Sequence, residues 1–158
     1  MKQKTKTYAF FIIFTLAVGG LSALLTRNNM DIYEKITTPS FAPPSIVFPI
    51  AWGILYVLMG ISAAMVFIKG RESGTYTFDA LLFYFAQLFV NFFWSIIFFN
   101  MQNFLLSLVW LLFLLVLVII QVFKFYRICK LSAYLQIPYI LWLVFAAVLN
   151  YSIFTLNG

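Results

Sequence analysis

Residues 104–123 read FLLSLVWLLFLLVLVIIQVF, twenty residues without one charge. An α-helix rises about 1.5 Å per residue, so about twenty residues cross the roughly 30 Å hydrocarbon core of a bilayer. The run lacks the period-two alternation of a lipid-facing β-barrel strand. It predicts a spanning helix, because backbone polar groups in lipid must be satisfied within each segment. Four further apolar blocks read the same way: Tyr8–Leu25, Ile46–Ile68, Ala80–Phe99 and Ala133–Leu156. Their lengths are 18, 23, 20 and 24 residues, and the first only just suffices. The expected fold is an all-α membrane protein: a bundle of five transmembrane helices in one domain, residues 1–158.

Composition points the same way. Of the 158 residues 65% are hydrophobic and 9% charged, against about 45–50% and about 25% in a soluble domain. A chain of about 150 residues leaves roughly 30% of its unfolded-state surface exposed, so water is the wrong solvent for this one. A mean hydropathy of +1.03 excludes disorder, which needs a polar chain poor in aromatics. There is no His, and Cys129 is the single Cys. Those two facts remove His-based zinc and haem ligation, His acid–base chemistry and any intrachain disulfide. No metal site is expected.

Lys2, Lys4 and Lys6 ahead of the first block open a rival reading as a secretory signal peptide. Such h-regions run about 7–15 residues and end at a small-residue cleavage site. The first block is longer, and Leu21-Ser22-Ala23 is a poor cleavage signal, so a retained helix is favoured. Basic residues near the block ends set the orientation. The N-terminus, the second connection (Lys69, Arg71) and the fourth (Lys124, Arg127, Lys130) carry eight; the other side carries two, Arg27 and Lys35. This places the N-terminus in the cytoplasm and the C-terminus outside, in a bacterial cell membrane. The net charge of +6 is mostly topology. Spread over short connections, it forms no nucleic-acid-binding stripe.

The connections are unequal. Asn100–Asn103 is short enough to make the third and fourth helices a tight antiparallel hairpin. Thr26–Ser45 is long and holds Pro39, Pro43 and Pro44, with Pro49 just beyond. Long irregular connections in compact domains are usually lids, binding loops or linkers. Prolines lower the entropy of ordering such a segment, and Ile32, Tyr33, Ile36 and Phe41 give it apolar material to fold against the bundle. A lid is favoured over a stiff connector.

Asp79 stands at the start of the third block, and no Asp, Glu, Lys, Arg or His lies deeper in any of the five. Ion-coupled transporters generally carry such a group, so a small-molecule exporter is disfavoured. So are enzymes built on general acid–base or metal chemistry. Amides and aromatics replace charge. Gln87 and Asn91 share a face of the third helix, with Trp94 three residues on; Trp52 and Tyr56 share a face of the second. Tyr139, Trp142, Ala146 and Leu149 form a stripe on the fifth, with Asn150 four beyond Ala146. One amide alone reads as interhelical glue worth about 0.6 kcal/mol, and one aromatic as lipid-facing filler. Three such faces together point to a cavity for a large, flat, mostly apolar ligand with a few polar atoms. Gly53, Gly60 and Ala64 in the second helix, and Gly19 and Ala23 in the first, mark close helix approach within the bundle or between protomers.

Pro39-Ser40-Phe41-Ala42-Pro43-Pro44, then Trp52-Gly53-Ile54-Leu55-Tyr56 and Met59-Gly60, resembles the first-loop and second-helix signature of the TspO/MBR family. This is the translocator protein or peripheral-type benzodiazepine receptor family, whose bacterial members are called tryptophan-rich sensory proteins. Asn91-Phe92-Phe93-Trp94-Ser95, with Phe98-Phe99, is similar to its third-helix motif. Pro138-Tyr139-Ile140-Leu141-Trp142, with Phe145-Ala146 and Leu149-Asn150-Tyr151, is similar to its fifth. The resemblance implies a five-helix bundle, often dimeric, with a pocket lidded by the first loop. It also implies binding of protoporphyrin IX or a related tetrapyrrole, and of synthetic isoquinoline and benzodiazepine ligands. Carried over by motif, the pocket would include Tyr33, Pro43, Trp52, Tyr56, Asn91, Trp94, Trp142, Ala146 and Leu149, to which the shared helix face adds Gln87. The family's cholesterol pattern ends in Lys or Arg after the fifth-helix Tyr; no basic residue follows Tyr151, which speaks against sterol binding.

The expected function is thus tetrapyrrole binding in porphyrin sensing, transport or turnover, with the porphyrin as ligand and no resident cofactor. The alternative implied by the resemblance is light-dependent porphyrin degradation. With no axial metal ligand in view, chemistry would come from the excited pigment, with Trp52 and Trp142 as electron donors or oxidation targets.

Overall fold

The computed structural model describes residues 1–158, and the chain is helical without a strand. In order, the helices are α1 (Lys2–Thr26), α2 (Ile32–Lys35), α3 (Val47–Ser73), α4 (Phe78–Ser95), α5 (Phe104–Ile128), α6 (Lys130–Tyr134) and α7 (Ile137–Asn157). Five of them, α1, α3, α4, α5 and α7, are long and apolar enough to cross a membrane. α1 packs on α3 and α4, α4 on α5, and α5 on α7. They share one hydrophobic core in which Met59, Ala63, Val66, Tyr84, Leu114, Val118, Phe125 and Leu143 are wholly buried.

Three helices outrun their apolar blocks, all at the basic end of the bundle. α1 starts at Lys2, before Tyr8; α3 continues past Ile68 to Ser73; α5 continues past Phe123 to Ile128. Hydropathy ends there before the helix does, because the added turns carry the cations. Arg71 lies 5.9 Å from the Phe67 ring, Lys124 5.2 Å from Phe83 and Lys130 5.6 Å from Tyr126. Such side chains lay their stems and charge on aromatic surface while the head stays wet. Lys4 pairs with Glu72 and ties the start of α1 to the end of α3.

Small residues set the α1–α3 approach. A Cβ on Gly60 would stand 2.6 Å from the Ile12 Cα, so no larger residue fits there without parting the helices. Gly19 does the same for a side chain: its Cβ would meet the Tyr56 ring at 2.2 Å. Both therefore serve contacts inside the bundle. Gly53 is different, with nothing within 4 Å of its Cβ position.

The α4–α5 connection is tight, as expected. α4 loosens into a π-helical turn at Ile96–Asn100, Gln102 takes a left-handed φ of 52°, and the Asn103 side chain caps α5 by accepting from the Leu106 N–H at 2.9 Å. The first connection has more regular structure than its composition predicts. A 3₁₀ turn at Arg27–Asn29 and the single helical turn of α2 precede an extended run through the prolines. Tyr33, Ile36 and Ala42 pack against the core, while Phe41 stays half exposed.

Candidate functional site

Beneath this connection lies a cavity of about 500 Å³, within the roughly 300–1,000 Å³ range of small-molecule sites. Its walls come from α1, the first connection, α3, the end of α4, and α7; α5 contributes nothing. Gly19, Ser22, Ala23 and Thr26, on successive turns, bring the α1 backbone to the cavity. α3 supplies Trp52 and Tyr56, α4 supplies Trp94, and α7 supplies Trp142, Ala146, Leu149 and Asn150.

Trp52 is the hub of the aromatic wall. Its ring stacks on Tyr56 at 5.5 Å and lies 6.4 Å from Trp94, 6.1 Å from Tyr139 and 6.3 Å from Trp142, edge-on to the last two. Offset and edge-to-face pairs of this kind are worth about 0.5–1.5 kcal/mol each beyond area burial. Three of the four tryptophans thus meet at one place. The fourth, Trp110 on α5, donates to the Val90 carbonyl at 2.7 Å and stays off the wall.

The sequence profile of the TspO/MBR family matches residues 11–156. The chain belongs to the TspO/MBR family. It is 34% identical over 158 residues to the tryptophan-rich protein TspO of Chlorobaculum tepidum, covering 99% of both chains. It is 36% identical to the protein of the same name from Archaeoglobus fulgidus, covering 93% of this chain and 94% of the relative. To the tryptophan-rich sensory protein of Cereibacter sphaeroides it is 33% identical, over 95% and 92%.

In this TspO/MBR chain the residues singled out by sequence fall into two shells. Tyr33, Trp52, Tyr56, Trp94, Trp142, Ala146 and Leu149 all stand on the cavity wall. Gln87, Asn91 and Pro43 do not. Asn91 sits one layer back: Tyr56 Oη donates to its Oδ1 at 2.8 Å, and its Nδ2 donates to Tyr139 Oη at 2.8 Å. Tyr139 Oη in turn donates to Gln87 Oε1 at 2.7 Å, and Gln87 Nε2 lies 3.7 Å from the Met59 sulfur. This chain of bonds ties α3, α4 and α7 together, with every hydroxyl and amide paired. Asn150 builds a second junction, accepting from Ser107 Oγ at 3.1 Å and Trp94 Nε1 at 3.4 Å and donating to the Phe104 carbonyl at 2.9 Å. Of the wall indoles only Trp94 finds an acceptor in the protein; the Trp142 N–H is buried without one.

The cover is pinned at three points. Tyr33 Oη donates to the Pro43 carbonyl at 2.8 Å, and burial pushes the Tyr33 hydroxyl above its usual pKa. Asn157, at the end of α7, clasps the Thr37 backbone with both ends of its amide, accepting from N at 2.9 Å and donating to O at 2.8 Å. Asn29 Nδ2 donates to Asn100 Oδ1 at 2.8 Å, and Asn100 Nδ2 donates to the Leu25 carbonyl at 3.1 Å. At the opening, Lys35 pairs with Asp31 and holds its carboxyl below the usual range.

Several wall residues were not expected at the pocket: Ser22, Thr26, Phe48 and the π-turn residues Phe98 and Phe99, the last two noted only as part of the third-helix motif. Ser22 and Thr26 had a usable signal, since with Gly19 and Ala23 they continue one small-residue stripe. Phe98 and Phe99 reach the wall through a helical irregularity, for which the sequence carries no periodic mark.

Proposed function

We propose that this TspO/MBR protein binds a tetrapyrrole, protoporphyrin IX or a close relative, in the cavity under the first connection, and acts in porphyrin sensing, transport or turnover. The observation that carries the reading is the wall itself: a void of about 500 Å³ with indoles from three helices converging on it. A flat conjugated ring gains dispersion and stacking against such faces. Isoquinoline- and benzodiazepine-type compounds, flat and carrying few polar atoms, fit the same description. The membrane is a bacterial cell membrane with the N-terminus in the cytoplasm, on the eight-to-two count of basic residues.

A second reading, light-dependent breakdown of the bound porphyrin, rests on Trp52 and Trp142, whose rings lie 6.3 Å apart on the wall. An excited pigment stacked on them has indole donors at contact distance. Titrating the purified protein with protoporphyrin IX, dark and illuminated, tests both. Saturable quenching of tryptophan fluorescence without spectral decay supports binding alone. Light-driven loss of the porphyrin band that slows in Trp52→Phe or Trp142→Phe, with dark affinity kept, supports turnover. Absence of saturable binding overturns both.

A further inference from the structure

Two charged side chains line the cavity, and both are carboxylates: Asp31 and Glu34, beside and within the single turn of α2. No Lys or Arg stands on the wall. Lys35 neutralises Asp31. Glu34 receives only the Ser45 hydroxyl, at 3.2 Å, and the two ion pairs of the protein leave it without a cation. Away from this edge the wall is mainly Trp, Phe, Ala and Leu, where an ionised ligand group would pay a large desolvation cost. A ligand must therefore keep its charged edge at the opening, and there it meets Glu34.

We infer that Glu34 is a specificity-determining residue, and that the cavity selects flat ring systems whose polar edge is neutral or cationic over the same rings bearing carboxylates. The inference rests on the reading that the cavity holds a ligand of tetrapyrrole size, and it ranks that class: side-chain esters, amides or amines bind more tightly than the free acids, protoporphyrin IX among them. Like charges facing each other across a binding site act on discrimination more than on total affinity. For a partly solvated pair the effect is modest and salt-dependent.

The test compares protoporphyrin IX with its dimethyl ester, read by quenching of the cavity tryptophans in the full chain purified in a nonionic detergent at neutral pH. The parent, Glu34→Gln and Glu34→Lys proteins are titrated at low and at high salt. Taking the ester-to-acid affinity ratio within each protein, then comparing proteins, cancels the unequal partition of the two porphyrins into micelles. That ratio should fall about threefold in Glu34→Gln, fall further in Glu34→Lys, and converge among the three proteins at high salt. An identical ratio in all three at low salt overturns the inference and leaves binding in the cavity standing. Ala146→Phe, which fills space at the wall, separates the two levels. If neither porphyrin binds the parent, or both bind Ala146→Phe as tightly as the parent, the cavity reading fails and the selectivity falls with it.

Discussion

α3 and α5 are both long spanning helices, and they do opposite things. α5 holds the most uniformly apolar stretch of the chain, yet no side chain of it reaches the cavity wall. α3 is interrupted by Trp52, Gly53, Tyr56 and Gly60, and its N-terminal half supplies the centre of the wall. A run of Leu, Val and Ile gives lipid and neighbouring helices a surface to pack on without specifying any contact. A helix that mixes glycine with large aromatics fixes where another backbone may come close and where a void must remain. The residues that make a span easy to recognise are therefore not those that make a site.

Buried amides sharpen the contrast, because α4 and α5 carry the same chemistry with opposite bookkeeping. Asn91 on α4 is fully paired, whereas Gln121 on α5 is wholly buried with neither end of its amide partnered. Asn91→Leu should have the largest effect of the changes considered. It strands the Tyr56 hydroxyl, at about 1–3 kcal/mol, and removes the bond to Tyr139, at about 0.5–1.5 kcal/mol. The apparent melting temperature should drop clearly with helical circular dichroism unchanged at low temperature. A variant that melts like the parent would mean the network contributes nothing.

Gly19→Ala comes next. The new methyl must displace the Tyr56 ring, and overpacking of this kind costs about 1–3 kcal/mol. The ring is itself wall, so porphyrin affinity should fall as well, which a lipid-facing control such as Leu112→Ala on α5 should not do. On α5, Gln121→Met should raise stability by roughly 1 kcal/mol, since it removes an unpaired buried amide at similar volume. A fall in melting temperature instead would mean that solvent reaches and pairs the amide.

The cover predicts a kinetic effect. Asn157→Ala removes two bonds to the Thr37 backbone. Stopped-flow dissociation of porphyrin should then quicken by about three- to tenfold, with association changed less. Equal dissociation rates would reduce the connection to a tether. The smallest effect belongs to Trp110→Phe, which loses one bond to the Val90 carbonyl, about 0.5–1.5 kcal/mol, and leaves ligand affinity untouched. A change in affinity there would break the division between α3 and α5.

Much of this architecture was legible in the sequence. Block lengths identify the five spans; their ends go astray where cation-bearing turns carry helix beyond the apolar run, as at Lys2 and Ser73, and where the helix changes inside the run, at the π turn from Ile96 and at the break between α6 and α7 that makes the last long helix start at Ile137 and not at Ala133. The site was legible by residue type and by resemblance, but its depth was not. Asn91 and Trp94 share a helix face, and spacing cannot tell that Tyr56 from α3 stands between Asn91 and the cavity while Trp94 reaches the wall. A helical period reports direction around one axis; what a side chain meets in that direction is decided by another helix. Pro43 shows the same limit, since its part in the cover is a carbonyl that accepts from Tyr33 and not a ring against a ligand.

The junction between α7 and the first connection also bears on the order in which the protein is made. α7 supplies Trp142, Ala146 and Leu149 to the wall, and its Asn157 clasps Thr37. During synthesis the earlier segments leave the ribosome first, so α1, the connection and α3 are in place while one side of the cavity is still missing. The cavity closes and its cover is fastened only when the last spanning helix has inserted. A nascent chain therefore has no enclosed cavity, which exists only in the finished protein.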